Sequence, residues 1–129
     1  MSSYDQPSKG HTEALRQLSE SRAVVLAGGP GVGPAVAIAE RAVAAGNEAA
    51  VVYQTDAPAH EDRLSALREQ GVTVTVTDEA IGAAVADAVA GVDGEQAFVY
   101  GFAGFVDEAA GALEGAGFDP DEAKVENFG

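Results

Sequence analysis

Residues Gly28-Gly29-Pro30-Gly31-Val32-Gly33-Pro34 are the part of this chain best suited to chemistry, and the working groups there are backbone amides rather than side chains. An apolar run, Ala23-Val24-Val25-Leu26-Ala27, precedes them and helical spacing follows. That order describes a buried parallel strand, a tight turn and a helix N-terminus, where free amides and the helix dipole favour phosphate or another anion. The missing side chains of Gly29, Gly31 and Gly33 would let a diphosphate approach the backbone. Pro34 falls in the first helical turn, where the absent N–H costs little. The spacing is not the strict G-x-G-x-x-G pattern, so a tight turn without a ligand satisfies the same residues.

Two other stretches carry usable groups. Tyr53-Gln54-Thr55-Asp56 can bring a hydroxyl, an amide and a carboxylate to a ribose. A carboxylate there favours a free 2′-hydroxyl and opposes a 2′-phosphate, and no arginine lies close in sequence, so NAD(H) is favoured over NADP(H). Asp56 is equally suited to capping the following helix. Tyr100-Gly101-Phe102-Ala103-Gly104-Phe105 gathers three aromatics and two glycines. Such a cluster stacks on a nicotinamide or flavin ring, or meets a partner, although the spacing of Phe105 favours the core. Asp107 and Glu108 are expected in the first turn of the helix after it, where they favour the dipole but repel phosphate.

Acid–base machinery is scarce. His11 and His60 are far apart in sequence and there is no cysteine, so no metal-ligand spacing, thiolate or disulfide arises from these residues. His60-Glu61-Asp62 reads as a solvated first turn, and Ser19, Ser21 and Ser65 lie in no nucleophile elbow. Hydride transfer is the natural chemistry for such a chain, because the cofactor carries the reaction and the protein positions it.

The elements that must hold these loops follow from periodicity. Strands are expected at Ala23–Ala27, Ala49–Tyr53, Val72–Val76, Gln96–Tyr100 and Ala123–Phe128. Helical stripes fall at Val32, Val36, Ala39 and Val43; at Leu64 and Leu67 within His60–Gln70; at Ile81, Val85 and Val89 within Asp78–Ala90; and at Phe105, Ala109, Leu113 and Ala116. Each helix is followed by a glycine (Gly46, Gly71, Gly91, Gly117), as a left-handed C′ position requires. Strict alternation of strand and helix makes an α/β fold, a parallel sheet covered on both faces. Ligands of such sheets bind beyond the carboxyl ends of the strands, where strand order reverses. Residues 1–21 read as a flexible tail and a short helix anchored by Leu15 and Leu18, and residues 22–129 as one domain.

Charge narrows the partners. The chain of 129 residues has 21 acidic and 7 basic side chains, a net of −14. Asp5, Glu13 and Glu20 balance Lys9, Arg16 and Arg22, so the whole excess sits on the folded part. Such a surface repels nucleic acid, and no basic patch offsets it. Scarce lysine in an acidic chain also suits concentrated salt, where screening shortens to a few ångströms. No apolar run approaches the roughly 18 residues of a membrane span, and the polar opening lacks the apolar core of a secretory signal, so a cytoplasmic location is expected.

Three blocks in fixed order carry a resemblance. Leu26-Ala27-Gly28-Gly29-Pro30-Gly31-Val32-Gly33-Pro34 resembles an apolar strand followed by A-G-G-T-G-I-A-P. Val99-Tyr100-Gly101-Phe102 with Phe105-Val106 resembles C-G-P and a helix start, and Val125-Glu126-Asn127-Phe128-Gly129 resembles a terminal strand ending E-x-F-G. From Arg22 to Gly129 the chain is thus similar to the nicotinamide-binding domain of the ferredoxin–NADP reductase superfamily. The resemblance implies a three-layer α/β/α sandwich with a five-stranded, Rossmann-like parallel sheet in the order 3-2-1-4-5. It also implies cofactor pyrophosphate at Gly28, Gly29, Pro30, Gly31, Val32 and Gly33, and the nicotinamide at the fourth strand's end, Tyr100, Gly101 and Phe102; with the ribose-side residues read above, Gln54, Thr55 and Asp56, and Phe128 of the closing block, these make up the expected cofactor site. Pro30, Tyr100 and Phe102 stand where the family has threonine, cysteine and proline. The family's flavin-binding barrel has no counterpart in these residues, so no flavin is expected on this chain alone. Three functions follow: half of a split flavin-dependent oxidoreductase whose flavin domain is a separate protein; a non-catalytic nucleotide-sensing module; or an interaction module whose aromatics fill the cofactor pocket. Oligomeric state is left open.

Overall fold

The computed structural model describes residues 22–129. The tail and short helix expected over residues 1–21 lie outside the described residues. The elements are β1 (Arg22–Gly28), α1 (Val32–Ala44), β2 (Glu48–Gln54), α2 (Glu61–Glu69), β3 (Thr73–Thr77), α3 (Gly82–Ala88), β4 (Glu95–Gly101), α4 (Ala103–Gly115) and β5 (Lys124–Asn127). Short 3-10 turns at Gly29–Gly31 and Pro120–Glu122 complete them. Strand order is β3-β2-β1-β4-β5 and every pairing is parallel, so the expected 3-2-1-4-5 sheet is present.

β1 reads as a continuous apolar run because helices bury both of its faces. Ala23, Val25 and Ala27 point to the layer holding Val36 and Ala39 of α1 and Leu64 and Leu67 of α2. Val24 and Leu26 point to the opposite layer, with Ile81, Val85, Ala109 and Leu113. Leu26, Val24 and Val25 are fully buried, and each such side chain stabilises the fold by roughly 1.5–3 kcal/mol. Positive φ at Gly46, Gly71 and Gly117 closes three helices onto their next strands, as their spacing indicated. α3 differs: it ends in extended backbone at Val89, and Gly91, two residues further on, donates its N–H to Glu95 Oε1 at 2.9 Å.

Three boundaries differ from expectation, each for a local reason. α3 is shorter, because Thr77 Oγ1 accepts the Glu79 N–H at 3.0 Å and this turn replaces the first helical turn. α4 starts at Ala103, ahead of Phe105, which moves Asp107 and Glu108 out of the first turn. α2 starts at Glu61, and His60 precedes it at φ 58°, a left-handed conformation uncommon for a residue with a Cβ. At the amino ends of the strands, Arg22 bonds Glu95 at 3.1 Å, Glu48 at 3.3 Å and the Ala88 carbonyl at 2.7 Å.

Candidate functional site

The strand order reverses between β1 and β4, so their carboxyl ends form the crevice where ligands of such sheets bind. Leu26 pairs with Val99 and Ala27 with Tyr100, which brings the first glycine turn beside the Tyr100-Gly101-Phe102 loop. Two of the three sequence clusters therefore meet in space.

The glycines of the first loop have different duties. A Cβ on Gly28 would lie 2.5 Å from the Phe105 ring, so this glycine makes room for a core aromatic. Gly29 has φ +52° with open space around it. Pro30, with its φ already fixed, fits the first turn position of Gly29–Gly31. Gly31 passes so close to Tyr100 that a Cβ there would collide with the Tyr100 carbonyl. Val32 is buried and its N–H donates to the Gly29 carbonyl, so that amide is committed to the turn. Gly33 follows in the first turn of α1. No side chain caps this helix N-terminus and no acidic residue occupies its first turn, which leaves its dipole uncompensated by side chains.

Around the fourth loop the chain's last residues fold back. Phe128 N–H donates to the Gly101 carbonyl at 2.9 Å, Ala103 N–H to the Gly129 carbonyl at 3.1 Å, and Gly129 N–H to Asn127 Oδ1. The Phe102 and Phe128 rings meet edge to face at 6.0 Å, and both remain substantially exposed. Tyr100 is half-buried. Burial first, then the charge of Glu126, push its phenol above the ordinary value of 10.0, while Arg41 pulls the other way.

The second loop is closed by its own side chains. Gln54 pairs with Gly28 across the strands, but its Nε2 donates to the Glu79 carbonyl at 3.0 Å and to Glu108 Oε1 at 3.0 Å. Thr55 N–H donates to the Thr77 carbonyl, and its hydroxyl accepts the Ala57 N–H at 3.1 Å. Tyr53, fully buried, accepts the Ala59 N–H at 3.0 Å. Asp56 is exposed and caps no helix: the capping position of α2 is His60, without a side-chain cap bond.

Three residues take positions at this site that their local sequence does not show. Phe105 is buried between Gly28 and Gly101, so it forms the floor of the crevice. Glu108 accepts from Gln54 and from the Ile81 N–H at 3.0 Å, so it ties the second and third loops to α4. His60 Nε2 lies 3.8 Å from the position a Gly33 Cβ would take, so the second loop reaches the first. The backbone at His60 is left-handed there, a conformation that histidine adopts more readily than most residues with a Cβ.

Comparison with known proteins establishes the fold. No family model matches the chain, nor does any curated protein. Among solved structures, the Amycolatopsis cytochrome P-450 reductase GcoB is 16% identical with a TM-score of 0.64, over 99% of this chain and 42% of that one. A flavohemoglobin from Malassezia yamatoensis, solved with bound FAD and heme, is 20% identical with a TM-score of 0.65, over 91% of this chain and 34% of that one. The chain thus spans less than half the length of either protein. No helix among the described residues is long and apolar enough to cross a membrane.

Proposed function

We propose that this domain binds a pyridine nucleotide through the turn between β1 and α1, and serves as the nucleotide-binding half of a split flavin-dependent oxidoreductase. The observation that carries the reading is a glycine turn at the β1–β4 reversal, leading into a helix N-terminus without a side-chain cap or an acidic first turn. The fold likeness to a reductase and to an FAD-containing flavohemoglobin supports it. Pyrophosphate would sit against Gly29, Gly31 and Gly33, and the nicotinamide near Tyr100, Phe102 and Phe128. The exposed carboxylate of Asp56 on the second loop favours NAD(H) over NADP(H). The protein's part in catalysis is positioning: hydride leaves the nicotinamide for a flavin on a separate chain. The acidic surface fits a cytoplasm rich in salt.

The test is a titration of the purified protein with NADH and NADPH in molar salt, following nicotinamide fluorescence. A saturable change, tighter for NADH, is expected. No saturable change with either ends the reading. The split role further predicts diaphorase activity that arises only on mixing with a separate flavoprotein, and persistent inactivity of the mixture argues against it.

One observation favours a second reading. The Phe102–Phe128 pair is solvent-facing beside the crevice, an arrangement that also suits a protein contact. In that case the domain is a non-catalytic nucleotide-sensing or interaction module: a failed titration leaves the interaction role, and saturable binding with no diaphorase activity on mixing leaves the sensing role.

A further inference from the structure

The sheet has two edge strands, β3 and β5, and they are finished differently. On the β3 edge the Val74 carbonyl accepts from Arg68 Nη2 at 2.9 Å, so a side chain of α2 closes that edge. Among the described residues nothing comparable closes β5. All four residues of Lys124–Asn127 are exposed, and Val125 remains 48% accessible. The Phe128 N–H donates inward, to the Gly101 carbonyl at 2.9 Å. Backbone groups alternate in direction along a strand, so those of Lys124 and Glu126 also face β4, and the N–H and carbonyl of Val125 face outward. A bare edge of this kind is a template for another strand.

We propose that β5 pairs with β5 of a second copy of this chain, antiparallel and about a two-fold axis at Val125, so that the two sheets become one. Charge complementarity is the argument. In that register Val125 meets its own counterpart and exchanges both backbone bonds with it, while Lys124 of each copy lies opposite Glu126 of the other. Lys-Val-Glu is therefore self-complementary when reversed, as an isologous contact requires. A parallel pairing would instead set lysine against lysine and glutamate against glutamate. An edge lysine ordinarily discourages pairing, but here the reversed copy brings a carboxylate to it. The faces agree as well. Lys124 Nζ lies 5.9 Å from the centre of the Phe98 ring, which places it, with Glu126, on the α1 side of the sheet. Val125 falls on the opposite side, where pairing removes an exposed apolar side chain from water. A four-residue strand contact is smaller than the roughly 1,200 Å² of a stable interface, so the dimer is weak and concentration-dependent. Because the paired strands run in opposite directions, the two glycine turns face opposite ends of the dimer and both stay open.

The experiment is sedimentation of the full chain from micromolar to millimolar concentration, with amide hydrogen exchange followed at both ends of that range. A dimer that grows with concentration is expected. Exchange of the Val125 N–H should slow about fivefold at the higher concentration, while that of the Phe128 N–H, already bonded to Gly101, stays as it was. Lys124→Glu and Glu126→Lys should each weaken dimerisation about tenfold, and the double substitution should return it to within about threefold of the original. The charge variants are compared in the lowest salt at which circular dichroism shows them folded, since salt screens the pairs. Three results overturn the proposal: a monomer alone at millimolar concentration, a dimer that leaves Val125 exchange unaltered, or a folded double variant as weak as the single ones. The exchange measurement requires no variant, so a variant that misfolds does not shield the proposal. None of these readouts involves nucleotide, and failure of the proposed cofactor binding would leave them untouched.

Discussion

The first and second loops leave the same edge of one sheet, yet they are finished in opposite ways. The first is built from glycine and proline, and no side chain reaches back to cap the helix it feeds. The second is closed by side chains: Gln54 is held by Glu108 and Glu79, the Thr55 hydroxyl by Ala57, and the Tyr53 hydroxyl by Ala59. A loop that satisfies its own polar groups has little to offer a ligand, whereas one made of backbone keeps room for a partner at close range. Any ligand-binding capacity therefore concentrates at the first loop, and the second supplies mainly rigidity and the carboxylate of Asp56.

The substitution that presses hardest on this contrast is Gly31→Ala. Its methyl would meet the Tyr100 carbonyl, which is backbone and cannot swing aside, so a loss of about 3 kcal/mol in unfolding free energy is expected. Gly29→Ala makes the matched control. It enters open space and suffers only the left-handed penalty of about 1–2 kcal/mol. Denaturant unfolding of both variants in matched salt decides the matter. Equal losses would mean that the close approach to Tyr100 does not hold the first loop in place.

Next in size is Glu108→Ala, aimed at the second loop. It leaves one N–H of the Gln54 amide, the other staying on the Glu79 carbonyl, and the Ile81 N–H without their acceptor, and about 2 kcal/mol should be lost. NADH affinity should stay within about threefold, since Glu108 belongs to the closed loops and not to the glycine turn; a threefold change is only about 0.7 kcal/mol. A large affinity loss at preserved stability would erase the distinction between the two loops.

A smaller effect is expected at the aromatic wall. Tyr100→Cys removes bulk beside Gly31 and Phe102→Pro removes the ring that meets Phe128, and NADH affinity should rise about fivefold, close to 1 kcal/mol. Calorimetric titration reads this directly. Unchanged affinity would show that these rings do not obstruct the crevice.

The sequence carried the first loop more fully than the second, and the reason is physical. Strand period, helix stripe and C′ glycine are local signals, so all five strands, all four helices and the burial of Phe105 were readable. The glycine cluster was readable too, because a tight turn leaves its mark in residue type. Which glycine serves what was not, since Gly28 and Gly101 are defined by the Phe105 ring that packs against them across the crevice. Likewise nothing local to Gln54 shows that Glu108, far along the chain, accepts from its amide. The start of α4 slipped for a related reason: its first N–H is satisfied by the carbonyl of Gly129, a partner that no local cap residue announces.

The smallest expected effect lies where the helices behind the two loops touch. Arg63 of α2 reaches Glu40 of α1 at 2.7 Å, and this bond holds the Glu40 carboxyl below the ordinary value of 4.5. Partial burial works against that shift, and the charges of Arg63 and His60 add to it. Because the folded value lies below the unfolded one, the stabilisation is fully present above about pH 4.5 and fades as pH falls through the depressed value. Both side chains are 41% exposed, so the pair contributes only a few tenths of a kcal/mol, less in molar salt. Arg63→Leu should accordingly flatten the acid limb of urea stability at low salt and change almost nothing at neutral pH in high salt. A loss of 2 kcal/mol or more, about four times what exposed pairs give, would mean that the α1–α2 contact clamps the first loop to the second, and the two could no longer be treated as independent.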